Sequence, residues 1–218
     1  MNRPTSARLL WVGASALLAG CFNPVNDRPD AGPPPEVPLM ERTCGEIDKL
    51  LSYEPSGWQQ QYDGCTIFAG HLYVSTPAGT MDLLPLRGVK SVNGILSVDT
   101  SFELRRLTGL ESLENVGELK LGVNYHLVDL TALASLRSAS KVHISTNPEL
   151  ETLDGLSGLT TIDELQISGN DSLRSLAGLS NLRHIRGGLY ISDNRVLPSS
   201  EVNALLARVQ VDGETSIR

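Results

Sequence analysis

Little in this sequence points to catalysis, to a metal or to a polyanion. It has only three cysteines, and neither Cys44 nor Cys65 stands in the His or carboxylate constellation that a metal site or a catalytic thiol requires. Basic side chains are the minority, 18 Lys and Arg against 25 Asp and Glu, for a formal charge of -7. That balance argues against nucleic acid as a partner and against a broad electrostatic grip on anionic lipid. A membrane-spanning helix needs about 20 apolar residues. The run Leu9 to Leu18, LLWVGASALL, is half that length.

What the sequence does have is a repeat. Glu164 to Gly187 reads ELQISGNDSLRSLAGLSNLRHIRG, and nearly everything after Cys65 can be laid over it. The repeats open at Leu72, Leu96, Leu119, Val142, Leu165 and Leu189, with spacings of 24, 23, 23, 23 and 24 residues. A fixed period of this size marks a solenoid in which each repeat is one coil. Seven apolar positions recur per coil, as in Val142, Ile144, Leu150, Leu153, Leu156, Leu159 and Ile162. Opener-x-apolar alternation predicts a strand with one face inward. The steps of three that follow, with Gly109, Gly155 and Gly178, predict tight, extended corners rather than a helix. No coil buries enough to fold alone, so coils must stack and the two ends need caps. The first coil is the least regular, with Pro77 and Thr80 at Asn and Leu positions.

The first twenty residues read as a sorting signal and not as part of the fold. Arg3 and Arg8 precede the apolar run, which ends in Leu18-Ala19-Gly20-Cys21. This tetrapeptide resembles the bacterial lipobox. The resemblance implies cleavage before Cys21 and acylation of that residue; the other reading is an ordinary secretory signal with a cysteine near its end. Several acyl chains anchor a protein to a membrane stably where one does not. Phe22 follows, and resemblance to Gram-negative lipoproteins implies that a chain without Asp there reaches the outer membrane of the bacterial cell envelope. Asn23 to Met40, NPVNDRPDAGPPPEVPLM, reads as a semi-rigid spacer. Without residues 1–20, 16 basic and 25 acidic side chains remain, a charge of -9. The expected organisation is a signal peptide (1–20), lipidated Cys and spacer (21–43), N-terminal cap (44–71), five to six coils (72–197) and C-terminal cap (198–218).

With Cys21 acylated, Cys44 and Cys65 remain in an exported chain, where disulfides persist. They are expected to pair, stabilising the fold by roughly 3 kcal/mol in the chain-entropy model. Between them Ile47, Leu50 and Leu51 have the spacing of one helical face, so a short helix over Glu46 to Leu51 is expected to cover the first coil. Pro55 and Gly57 would end it, and Trp58 and Tyr62 would extend the plug. After Leu197, Pro198-Ser199-Ser200-Glu201 predicts a helix start with Ser capping, and Val202, Leu205, Leu206 and Val209 form a helical stripe. Val211 to Ile217 is read as a final edge strand.

Two families share this pattern. Ile162-x-x-Leu165-x-Ile167-x-x-Asn170 with Leu173 is similar to the leucine-rich repeat consensus. Cys65-Thr66-Ile67-Phe68-Ala69-Gly70-His71-Leu72-Tyr73-Val74, with Cys44 upstream and a short helix between, resembles the entry of the receptor L domains of insulin and EGF receptors. That resemblance covers Cys44 to about Val209. It implies a mainly β chain: a short right-handed parallel β-solenoid with a disulfide-tied helical cap at its start and a helical cap at its end. The leucine-rich reading instead implies a curved arc. Receptor function does not carry over, because no furin-like Cys-rich region, second L domain or kinase is present.

Three sets of residues are candidates for a role. The Asn column, Asn124, Asn147, Asn170 and Asn194, reads as structural, its side chains satisfying backbone groups at a corner. Outward on the first sheet lie Tyr73, Ser97, Lys120, His143, Gln166 and Tyr190, one per coil. Large, polar-tipped residues on a flat sheet suit a binding face, although a solvated face with incidental aromatics has the same composition. Glu118, Lys141 and Glu164 alternate in charge one column over and predict an exposed ion ladder. Catalysis would need acids, bases or ligands at matching offsets of adjacent coils. His71, His126, His143 and His184 fall at different offsets, and no nucleophile motif or carboxylate cluster is aligned.

The expectation is therefore a lipid-anchored, non-enzymatic recognition or adhesion module without cofactor or metal. Its membrane contact would run through acylated Cys21, and its ligand would be a protein or glycan at the face around Tyr73, Lys120, His143, Gln166 and Tyr190. A structural envelope lipoprotein with no discrete ligand is the competing reading, and a carbohydrate-active β-helix enzyme a third.

Overall fold

The computed structural model describes residues 41–44, 50–52, 64–76, 79 and 81–218. Cys21, the spacer, Ile47, Pro55, Gly57, Trp58, Tyr62, Pro77 and Thr80 lie outside the described residues. The chain is mainly β and winds through about seven turns of a parallel β-solenoid. On its broad sheet, Leu50–Ser52, Leu72–Ser75, Ser91–Asp99, Asn115–Gly122, Ser138–Ser145, Glu164–Ser168, Leu189–Ser192 and Thr215–Ile217 stack in parallel, each pairing with the next. A narrower ladder lies one corner earlier in each coil. Thr43–Cys44 pairs with Ile67–Phe68, which pairs with the start of Ser91–Asp99. Thr161–Ile162, His184–Ile185 and Gln210–Val211 form its other end as a separate three-stranded sheet.

The repeat period is the strand register. Leu72, Leu96, Leu119, Val142, Leu165 and Leu189 are direct partners in one column, as the spacing of the openers requires. All seven apolar positions of the four coils that start at Leu96, Leu119, Val142 and Leu165 are buried, none more than 4% exposed. The interior is one continuous apolar column, largely leucine, into which every coil contributes from all sides.

The steps of three have a different cause from the extended corners read from sequence. Each is a tight turn: the amides of Leu133, Leu136, Leu156, Leu159, Leu179 and Leu182 each donate to the carbonyl three residues back, itself a leucine's. At Leu84–Leu86, Thr131–Leu133 and Ala177–Leu179 the turns form 3-10 helix, whose three residues per turn keep every third side chain pointing inward. Side chains begin these turns as well. Asp82, Asp129 and Ser175 each accept from the amide two residues ahead. Gly155 has φ +113°, and a Cβ there would strike the Leu130 carbonyl of the preceding coil, so only glycine permits this approach.

At the corner after five of the broad strands the chain turns through a left-handed residue: Thr100, Val123, Thr146, Gly169 and Asp193. Next to these stands the Asn ladder. Asn124, Asn147 and Asn170 are wholly buried. Each Nδ2 donates to a carbonyl of the preceding coil, Val98, Leu121 and Ile144 respectively, and Asn194 does the same to Ile167, at 2.9 to 3.1 Å. Each Oδ1 accepts from the backbone amide of the ladder residue before it. The first of those amides belongs to Ser101, a fully buried residue that starts the ladder where the sequence offers no Asn.

The two ends depart from expectation. Leu50 and Leu51, the last two residues of the expected N-terminal helix, instead begin the strand Leu50–Ser52, paired with Tyr73–Ser75, and the rest of that expected helix lies outside the described residues. An open strand edge offers Leu50 and Leu51 partners for the backbone groups that a helix end would leave unsatisfied. Cys44 and Cys65 form a disulfide, Cα to Cα 5.8 Å. At the other end Ser199–Leu206 is the single α-helix among the described residues. Pro198 occupies its N-cap position, so the expected Ser cap is absent, and Leu206 faces out at 37% exposure while Val202, Leu205 and Val209 are buried. The expected edge strand is two strands, Gln210–Val211 and Thr215–Ile217, one on each ladder. The helix therefore replaces the leucine turns of a last coil whose strands still stack.

Candidate functional site

Outward positions of the broad sheet assemble the candidate face. The register places Tyr73, Ser97, Lys120, His143, Gln166 and Tyr190 side by side in one column, as the repeat implies, and continues it to Ser216. Inward neighbours on both sides of each residue are core leucines, isoleucines and valines, which hold the backbone while the outward side chains stand free of the core. Ser97 is the exception, 2% exposed and hydrogen-bonded to Asp99, so the column is recessed between Tyr73 and Lys120.

Glu118, Lys141 and Glu164 share the adjacent column, directly paired strand to strand. Their contacts are not the simple ladder that alternation suggested. Lys141 Nζ lies 3.9 Å from Glu164, but Glu118 turns to the next column, 3.0 Å from Lys120 Nζ and 3.3 Å from His143 Nδ1. His143 Nε2 lies 2.7 Å from Glu164. The imidazole is thus clasped by two carboxylates from the strands on either side, with a lysine beside each. Both ring nitrogens donate at once only in the imidazolium form. Sequence reading found all five residues but not this crossing of columns, because offsets report which strand a residue occupies and not which way a long side chain leans.

The ends of the face are aromatic. Tyr73 packs near His71, ring centroids 5.9 Å apart, and His71 Nδ1 accepts the Ile95 amide at 2.9 Å. Tyr190 lies back over Gly188, where a Cβ would collide with its ring. Desolvation, together with the negative charges of Glu214 and Glu164, pushes the Tyr190 phenol above its ordinary value. A shallow cleft of about 330 Å³ runs beside the column, lined by His71, Gly94, Ile95, Gly117, Glu118, Ser140 and Lys141. The arrangement offers hydrogen bonding and ring contact on a rigid backbone. Among the described residues no three His, Cys, Asp or Glu side chains converge as a metal's ligands would.

The remaining histidines bind carboxylates elsewhere on the surface. His126 Nδ1 is 2.9 Å from Glu149, and His184 Nε2 is 2.7 Å from Asp212. The Gln210 amide, and then His184, hold the Asp212 carboxyl below its ordinary range.

Fold and face together define a disulfide-bonded parallel β-solenoid with one ordered polar face. No protein-family model, curated protein or solved structure matches this chain.

Proposed function

We propose that this protein is an exported, lipid-anchored recognition or adhesion module of the receptor L-domain type, held at the bacterial outer membrane through acylated Cys21 and binding a protein or glycan without catalysis. The 23- to 24-residue coils, the Cys44–Cys65 bridge beside the first coil and the helix Ser199–Leu206 at the last one support that architecture. The single observation that carries the functional reading is the in-register column from Tyr73 to Tyr190. Its carboxylates are partnered internally, Glu118 by Lys120 and His143, Glu164 by His143 and Lys141. What remains for a ligand is two phenols, amide and hydroxyl groups and an apolar-edged cleft, a surface suited to partners of low net charge.

The test is a pull-down from envelope extracts and a glycan array, using residues 22–218 beside a variant with Tyr73, Lys120, His143, Gln166 and Tyr190 all changed to Ala. A ligand kept by the parent and lost by the folded variant is the expected result. Equal binding by both, or none by either, retires the face in favour of a structural lipoprotein. For the address, Cys21→Ala is expected to release the protein from membranes in a fractionation; unchanged anchoring would overturn the lipid claim.

A further inference from the structure

Away from the broad sheet, where each coil turns into the narrow ladder, the same position in three successive coils is held by Arg137, Thr160 and Arg183, 23 residues apart. With Ser157, Gly158 and Asn181 they line an open cleft of about 600 Å³. No acidic side chain lines it. In a chain of net charge -7, Arg106, Arg186 and Arg195 each sit against an aspartate, whereas neither Arg137 nor Arg183 has a carboxylate partner among the described residues.

Both guanidiniums are held in place by backbone. Arg137 Nη1 donates to the Ala134 carbonyl at 3.0 Å, and Arg183 Nη1 donates to Ser180 and Leu182 carbonyls at 2.6 and 2.9 Å. Each therefore spends one nitrogen on its own turn and keeps Nε and Nη2 for a ligand, the planar fork that matches an oxyanion. Gly158 leaves the space: a Cβ there would come within 2.6 Å of Arg137 Nη1 and collide with the Leu136 carbonyl. Two strand spacings separate the arginine rows, about 10 Å at the backbone. Between them the Ser157 and Thr160 hydroxyls make no hydrogen bond among the described residues, and Asn181, whose amide donates to the Ser157 carbonyl at 2.9 Å, keeps its Oδ1 as an acceptor.

We propose that this cleft binds a saccharide bearing a phosphate or carboxylate group, with the oxyanion between Arg137 and Arg183 and sugar hydroxyls against Ser157, Thr160 and Asn181. The local charge suits one anionic group, while the acidic balance of the whole chain repels long polyanions and anionic bilayers. Hydroxyl and amide groups between the arginines match a polyhydroxylated carrier better than a lipid surface. This site is separate from the broad-sheet face and does not rest on that reading.

Calorimetric titration of the purified protein with glucose 6-phosphate, glucuronate, inorganic phosphate and glucose tests it, with phosphatidylglycerol vesicles as a further arm. The expected result is one site at which glucose 6-phosphate and glucuronate compete, weakening as salt rises, with no binding of glucose. The exposed double variant R137Q/R183Q is expected to melt like the parent and lose at least tenfold in affinity; R137K/R183K falls between, because ammonium lacks the fork. The variant with five alanines on the broad sheet is expected to bind unchanged. Absence of binding to both acidic sugars, binding of phosphate or vesicles alone, or full binding by R137Q/R183Q would each overturn the proposal.

Discussion

Two polar ladders climb the same solenoid a few residues apart, one through Asn124, Asn147, Asn170 and Asn194, the other through Glu118, Lys141 and Glu164 with Lys120 and His143. Both repeat once per coil, and both link neighbouring coils through side chains. They differ in burial. The first three Asn residues have no accessible surface, whereas the side chains of the charged cluster keep 19 to 46% of theirs. A buried amide that loses its partner stays unsatisfied, at a cost of about 1 to 3 kcal/mol per group; a surface charge turns to water, and its pair is worth about 0 to 1 kcal/mol. Periodicity alone therefore does not tell a structural ladder from a usable face. Burial does.

The contrast is sharpest at the centre of the Asn ladder. Asn147→Ala strips a partner from the Leu121 carbonyl, the Asn124 amide and side chain, and Asn170 Oδ1. A loss of about 3 kcal/mol or more is expected in urea unfolding, and a smaller one for Asn194→Ala, whose site is only partly buried. Equal, small losses would mean that water replaces the amides.

Asp129 lies between the two extremes. Its burial alone would raise the carboxyl pKa, but hydrogen bonds from the Thr131 hydroxyl and amide and from Arg106 outweigh burial, and the net shift is downward. A folded pKa below the unfolded one adds stability above the ordinary carboxyl range, and that stability is lost as pH falls through the depressed folded value. Asp129→Ala is expected to cost about 1 kcal/mol at neutral pH, as loss of a capping carboxylate does, and its deficit is expected to shrink in acid. A deficit independent of pH would assign the effect to packing.

The smallest effect is expected on the face. His143→Ala removes the group clasped by Glu118 and Glu164, yet both glutamates keep a lysine and reach solvent. A change of at most about 1 kcal/mol is expected, with the melt otherwise superimposable on the parent's. A loss comparable to Asn147→Ala would make the face part of the scaffold and end its candidacy as a binding surface.

Most of the coil was legible before any coordinates. The spacing from Leu72 to Leu189 is the strand register because a solenoid must repeat its backbone to stack it, and Asn124 to Asn194 fall at a buried corner for the same reason. Ser101 was missed because a ladder's first member needs only an amide, which every residue type but proline supplies. The Leu-x-x-Leu steps hid 3-10 turns because apolar spacing of three fits an extended corner and an i to i+3 turn equally well. At Leu50 and Leu51 the apolar spacing suggested helix, and pairing along the edge of Tyr73–Ser75 makes them strand.

By itself the sequence determined the period, the inward and outward sides of each broad strand and the column that carries Tyr73, Lys120, His143, Gln166 and Tyr190, since all three follow from backbone repetition. Only the tertiary structure decided that His143 joins Glu118 to Glu164, and that Arg137 and Arg183 share an acid-free cleft across Thr160. Those relations depend on where long side chains lean between coils. Leaning is set by the neighbouring coil's charges, carbonyls and missing side chains, which lie more than 20 residues away in the chain and a few ångströms away in space.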